Sequence, residues 1–524
     1  MASKIFRQIS GLRPGRSVFD LSYDKKFTCD MGQLIPIMCD ELVPGDTFVI
    51  SNEIVIRFQP LVHPILHEVN AYVHYFFVPY RLLWEDWENF ITGGVDGDWG
   101  KNSDGEFNVE PPLWNPINYS VGSLWDYFGY PIDVKPNGRF PLDFPRIAYN
   151  FVYNEYYRDQ NLQDEILLNN EFVLNRAWEK DYFTSALPWQ QRGTAPAFPI
   201  HGTTSAQWDF PAAYPPVVTT QNETQNIYAS GLANLNLRST GDTPLTDAQL
   251  RVRLGSDILN NNQIDLSKLV TFDVADLRLA FQVQKWMERN ARSGARYTEF
   301  LRSHFGVSPR DERLQRPEYI GGSKSPIIIS EVLQTSGSDR QNEGTQATPQ
   351  GNLAGHGITA DRSYVSKYRA TEFGLIIGLL SVMPRSAYSQ GIDRQWLRRT
   401  RYDFYFPEFA NLSEQAIEQV EIYADSSEVE NKKIFGYQGR YDEMRFKRSM
   451  ICGLMRTDFE NWHLGRKFTN PPLLNEQFIE CSPNELKRVF AVPSEPGLVV
   501  NFANFIKAIR PMPFASQPGL IDHN

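Results

Sequence analysis

Two periodicities of apolar and polar positions run through this chain. In "EIVIRFQPL", Glu53 to Leu61, Ile54, Ile56 and Phe58 alternate with Val55, Arg57 and Gln59, the repeat of a strand with one face in a core. "PGDTF", Pro44 to Phe48, is a turn that leads into it. In "HPILHEVNAYVHYFFVP", His63 to Pro79, the row Val69, Ala71, Val73, Tyr75 and Phe77 predicts a core-facing strand, with Glu68, Asn70, Tyr72, His74 and Phe76 on its other side. The period then lengthens in "RLLWEDWENFITGG". Leu83, Trp84, Trp87, Phe90 and Ile91 fall three or four apart and Gly93-Gly94 stop the pattern, predicting a short helix from Trp84 to Phe90. Residues 96 to 145 read as loop. Helical spacing returns around Asp164 to Trp178 and in "ADLRLAFQVQKWMERNARSGARYTEFL", with Leu279, Val283 and Met287 on one stripe and Gly294 as a break.

Beyond Gly321, "SPIIISEVLQ", "YRATEFGLIIGLLSVM", "RYDFYFPEF" and "YDEMRFKRSMICGLM" read as short strands. Strand-like runs therefore occupy both ends of the chain, with helices between them. Between them also lies a stretch from Gly202 to Leu269 rich in Thr, Ser, Asn, Gln, Ala and Pro, which reads as a long insertion rather than a core. Sheet partners this far apart fit a mainly β sandwich or jelly roll better than alternating βαβ units. No fixed-period repeat points to a propeller or solenoid. The 524 residues allow about three average domains, or one large β domain with insertions.

Composition narrows the function. A net charge of −10 excludes an exterior that grips nucleic acid all over, while leaving room for a local basic face. Aromatics at 13% favour strands and contact surfaces. The four cysteines contain no CxxC pair and read as free buried thiols in a reducing compartment. "MASKIFRQISGLRPGRSVFD" has no signal-peptide run, and "FGLIIGLLSVMP", Phe373 to Pro384, is too short to cross a bilayer, so membrane insertion is not expected. The latter reads as a buried strand or strand pair.

Candidate chemistry is sparse. His63, His67, Glu68 and His74 suggest zinc, but Ala71 stands where HExxH needs its second histidine, and strand parity turns His67 and His74 to opposite faces. Asp96, Asp98, Asn102 and Asp104 suggest calcium, yet Lys101 and Phe107 occupy the EF-hand glycine and glutamate positions. "GGSKS", Gly321 to Ser325, lacks a phosphate loop's glycine spacing and reads as a turn. Glu85, Asp86 and Glu88 read as a solvated helix face, and no G-x-S-x-G elbow occurs. No catalytic set, metal or cofactor is expected. The basic clusters are better defined. Arg394, Arg398, Arg399 and Arg401 lie beside Trp396, Tyr402 and Phe404, a mixture that neutralises phosphates and stacks unpaired bases, or that forms ion pairs with the many acids. Arg289, Arg292 and Arg296 form a weaker cluster, and Lys4, Arg7, Arg13 and Arg16 make a basic N-terminal arm within residues 1–26.

Longer blocks carry a resemblance. "FDLSYDKKFTCDMGQLIP", "CDELVPGDTF", "LHEVNAYVHYFFVPYRLLWEDWENFITGG", "HFGVSPRDERLQRPEYIGG" and "FGYQGRYDEMR" resemble the major capsid proteins of the Microviridae, in particular the gokushovirus branch. The resemblance implies an eight-stranded antiparallel jelly roll with long insertions over residues 1–524. It implies self-assembly into a T=1 icosahedral capsid around circular single-stranded DNA, with small basic DNA-binding and other virion proteins as partners, made in a bacterial host's cytoplasm. It also implies a threefold surface protrusion, here residues 202–269, that meets a host-cell surface receptor, and no enzymatic activity. Lys4, Arg7, Arg13, Arg16, Arg394, Trp396, Arg398, Arg399 and Arg401 are the expected DNA-facing residues. The alternative reading is a carbohydrate-binding β-sandwich with exposed aromatics as sugar platforms.

Overall fold

The computed structural model describes residues 15–94, 99–102, 105, 108–136, 138–195, 274–293, 297–305, 310–333, 353–412 and 414–515, with four short strands between 218 and 252. Five strands come first: β1 (Ser17–Asp20), β2 (Tyr23–Cys29), β3 (Ile35–Leu42), β4 (Thr47–Phe58) and β5 (Val69–Pro79). The short strands are β6 (Val218–Thr220), β7 (Tyr228–Ala229), β8 (Leu237–Arg238) and β9 (Leu250–Val252). Then come β10 (Glu318–Pro326), β11 (Ile328–Leu333), β12 (Leu353–Arg369) and β13 (Gly374–Pro384). Two small pairs follow, β14 (Ala387–Tyr388) with β17 (Ser449–Met450) and β15 (Gln415–Glu418) with β16 (Ile434–Gln438), and β18 (Leu498–Arg510) closes the series.

One sheet has the order β2-β18-β4-β12 and the other β3-β13-β5-β10, all antiparallel, so the chain switches sheet at almost every step. That is the strand order of a jelly roll. β1 extends the first sheet along β18 and β11 extends it beyond β12. Residues 17–20 and 23–26 of the basic arm thus lie in strands held to β18, which leaves only its start, with Lys4, Arg7 and Arg13, outside the described residues.

The core between the sheets follows the two-residue repeat. Ile54, Ile56 and Phe58 of β4 are buried while Arg57 is exposed, and they meet Val69, Val73, Tyr75 and Phe77 of β5 and Val500, Phe502 and Ile506 of β18. A polar tie crosses it: the amide of Asn52 donates to the Tyr75 hydroxyl, which donates to Asn504, whose own amide donates to the Ile37 carbonyl. Every one of these buried polar groups thereby gains a partner.

β13 is buried along its whole length because its outer face is covered too. Leu375, Ile377 and Leu379 pack with Phe76 and Val78 of β5 against Trp114, Trp125, Phe144, Tyr149 and Val152. A strand buried on both faces loses the polar alternation, which is why "FGLIIGLLSVMP" reads as a continuous apolar run.

The helices depart from expectation in three places. The expected Trp84–Phe90 helix is two short ones, Tyr80–Leu83 and Trp87–Thr92, the second ended by Gly93 at φ 80°. No helix covers Asp164–Trp178, where Asn175 and Ala177 bridge to Gln33 and Glu480, and the helix lies earlier, at Phe144–Val152. The Asn150 and Asn154 side chains donate to the carbonyls of Ile166, Leu168 and Asn170, holding that stretch as irregular backbone. "GGSKS" is strand rather than turn. A β-carbon on Gly322 would lie 2.3 Å from the Val73 carbonyl oxygen, so glycine lets β10 close on β5. In the third region, helices Val274–Ser293 and Tyr297–Phe305 form where the stripe predicted helix, yet Leu279 is 63% exposed.

The chain divides into two compact units, Met1–Arg192 with Glu288–Asn524, and Gly193–Met287. All eight jelly-roll strands belong to the first. In the second, β6 pairs with β9 and β7 with β8, both antiparallel, and the rest of 202–269 lies outside the described residues. No helix among the described residues is long and apolar enough to cross a membrane.

Candidate functional site

Between β14 and β15 the chain makes three short 3-10 turns, Arg394–Trp396, Arg401–Asp403 and Pro407–Phe409. The strand expected in "RYDFYFPEF" does not form because local polar groups take its backbone. Asp393 accepts from the Gln395 amide at 3.1 Å, Asp403 accepts from the amides of Arg399 and Thr400 at 2.9 and 2.7 Å, and Pro407 starts the third turn. "YDEMRFKRSMICGLM" likewise becomes a helix, Asp442–Arg445, then β17 and a 3-10 turn, Gly453–Arg456.

The four arginines of this segment separate into two kinds. Arg394 reaches inward, 2.6 Å from Glu421, whose side chain is 1% exposed, and also donates to the Ala416 carbonyl. Arg398 pairs with the buried Glu443 at 3.0 Å, and Gln415 donates to that carboxylate's other oxygen at 2.8 Å. Burial pushes the Glu421 carboxyl above its ordinary range, against the opposing pull of Arg394. For these two arginines the ion-pair alternative is what the geometry contains. Arg399 and Arg401 are instead exposed and form no ion pair among the described residues. Beside them Trp396 is 73% exposed, Tyr402 57% and Phe404 52%. Arg398 lies over the Phe404 ring at 5.5 Å, and the Tyr402 and Phe404 carbonyls accept from Arg440 and Tyr441. The result is a cationic, aromatic surface held in place from below by buried acids, of the composition found at interaction hot spots and on single-strand binding surfaces. Sequence reasoning missed Glu421 and Glu443 because they lie 27 and 45 residues from their partners and no local spacing signals them.

The other basic residues are dispersed. Arg16 is exposed, Arg292 pairs with Glu414, and Arg296 lies outside the described residues. So do Asp96, Asp98 and Asp104 of the calcium candidate. Glu85 and Glu88 are exposed. Of the cysteines, Cys29 and Cys481 are buried but Cys452 is exposed, and all four are free.

Each of the histidines His63, His67 and His74 has its own structural contact. His63 stacks on Trp462 with ring centroids 5.2 Å apart, His67 lies 2.6 Å from the Arg385 carbonyl oxygen, and His74 lies 2.8 Å from the Tyr157 hydroxyl. Burial, and then the charge of Arg176, hold His74 at about 4, well below its ordinary 6.5. It is neutral in the folded chain and charged in the unfolded one between those values, so its contribution is complete above 6.5 and is lost as pH falls toward 4. The expected loss across that window is on the order of 1–3 kcal/mol. Melting curves of the unassembled subunit from pH 4 to 7 test this, since His74→Gln should have the shallower pH slope, and equal slopes would refute it.

Residues 7–520 match the family model described as "Capsid protein (F protein)". The chain belongs to this capsid protein family. It is 35% identical to capsid protein VP1 of Bdellovibrio phage phiMH2K, over 97% of this chain and 96% of the relative. It is 34% identical to VP1 of Chlamydia phage 1, over 96% of each, and 28% identical to VP1 of Spiroplasma virus 4, over 98% and 97%. The capsid protein is therefore a structural component of a Microviridae-type virion and not an enzyme, and it assembles with copies of itself. The carbohydrate-binding module is set aside by the same match.

Proposed function

We propose that this capsid protein builds a T=1 icosahedral shell around circular single-stranded DNA, assembled in the bacterial host cytoplasm with small basic DNA-binding and other virion proteins. Residues 202–269 make a surface protrusion at the threefold axes that contacts a host-cell surface receptor; their polar composition supports that reading. The DNA-facing surface is the one formed by Arg399, Arg401 and Trp396, with the arm residues Lys4, Arg7, Arg13 and Arg16. Arg394 and Arg398 support it from behind. The observation that carries this assignment is that Arg399 and Arg401 are exposed beside open aromatic rings while their neighbours are neutralised by buried acids. An acidic chain, net −10, with confined basic surfaces suits an exterior that repels nucleic acid and an interior that holds it.

The test is R399E/R401E, which spares both buried pairs. Sedimentation and negative-stain images should still show megadalton particles, with less DNA by absorbance ratio and weaker, less salt-dependent DNA binding. Particles with unchanged DNA content and salt response would refute the DNA role. Loss of particles altogether would reassign the surface to subunit contact.

A further inference from the structure

Trp178, Arg466 and Arg488 line a cavity of about 350 Å³ in the first unit. Arg466 is 3% exposed, with its guanidinium carbon 4.2 Å from the Phe478 ring centre and 5.1 Å from those of Trp178 and Phe468. One of its nitrogens, Nη2, donates to the Phe478 carbonyl at 2.6 Å. Its Nε and Nη1 are buried with only the Tyr388 hydroxyl beside them, and Trp178 Nε1 and Arg488 Nε are buried without a hydrogen-bond partner. Among the described residues Arg466 pairs directly with no carboxylate; the Tyr388 hydroxyl, hydrogen-bonded to it, donates to Asp181 at 2.6 Å. The other charged groups of the cavity are largely occupied. Lys467 pairs with Glu460 at 2.6 Å, and the Nη atoms of Arg488 donate to the carbonyls of Glu485, His463 and Gly465. Three cations, Arg466, Lys467 and Arg488, thus face two carboxylates, Glu460 and Glu485.

A buried guanidinium with open donors and no carboxylate in direct contact is unfavourable unless something completes it. An acceptor with negative charge and more than one oxygen would complete donors that come from different side chains. We infer that this cavity is an oxyanion site that takes a phosphate group, either free phosphate or a phosphodiester of the nucleic-acid backbone. The inference does not rest on the DNA-facing role of Arg399 and Arg401.

The experiment titrates inorganic phosphate against the full-length capsid protein at constant ionic strength, with chloride as control, and reads melting temperature and calorimetric binding. Saturable stabilisation by phosphate is expected. Trp178→Phe, which removes the indole donor together with part of the buried ring, should weaken phosphate binding about tenfold. Arg466→Met should abolish it, and if that variant does not fold, Trp178→Phe still decides the matter. No response to phosphate, or the same response in wild type and Trp178→Phe, overturns the site and leaves these donors to water. An oligothymidylate without terminal phosphate separates the sources: displacement of inorganic phosphate identifies the backbone, and its failure identifies free phosphate.

Discussion

Replacing Gly32 with alanine is expected to leave no soluble, folded capsid protein. Gly32 has φ 90°, where an L side chain costs about 1–2 kcal/mol by itself. Its added β-carbon would also lie 2.1 Å from the Cys481 carbonyl oxygen, a backbone atom that cannot rotate aside. That contact sits where three distant segments are tied. The Gly32 amide donates to Val382 of β13, its carbonyl accepts from Arg176, and the Arg176 carbonyl accepts from Cys481, each at 2.8–2.9 Å. Relief of the clash would pull Cys481 away and break this chain of bonds. The combined cost should exceed about 4 kcal/mol, a large part of the 5–15 kcal/mol by which domains are usually stable. Gly122→Ala is the control, since Gly122 has φ 78° but nothing within 4 Å of an added β-carbon. It should lose only about 1 kcal/mol. If Gly32→Ala expresses and melts like Gly122→Ala, the tie is not a structural requirement.

Glu421→Ala should have the next largest effect, about 3–5 kcal/mol in denaturant unfolding of the subunit. Its carboxylate accepts from Arg394 at 2.6 Å, the Tyr182 hydroxyl at 3.0 Å and the Glu418 amide at 2.9 Å, and alanine strands all three donors. The acid matters less for attraction than for the charge its loss would leave uncompensated. Arg394→Met combined with Glu421→Leu should therefore recover much of the stability while still loosening the turn that carries Trp396. Near-normal stability of Glu421→Ala would show that water reaches Arg394 and that the pair does not hold the loop.

The legible parts of the fold share one property: their signal is local. The alternation in β4 and the continuous run in β13 follow from which faces a strand buries, and Gly93 ends its helix through its own backbone freedom. The errors share another. At Asp164–Trp178 apolar spacing suggested a helix, but Asn150 and Asn154 capture the carbonyls that a helix would use. In "RYDFYFPEF" the aromatic content suggested a strand, but Asp403 and Pro407 commit the backbone to turns.

The candidate site divides in the same way. By itself the sequence determined that the chain is mainly β, that its long blocks belong to a capsid family, and that arginines and aromatics gather between Arg394 and Phe406. It could not pair β4 with β18, more than four hundred residues later, or say which arginines remain open. Only the tertiary structure decided that Arg394 and Arg398 are neutralised and that Arg399 and Arg401, among the described residues, are not. Composition places charges along a chain, but whether a charge is free depends on which acid lies within a few ångströms of it in space.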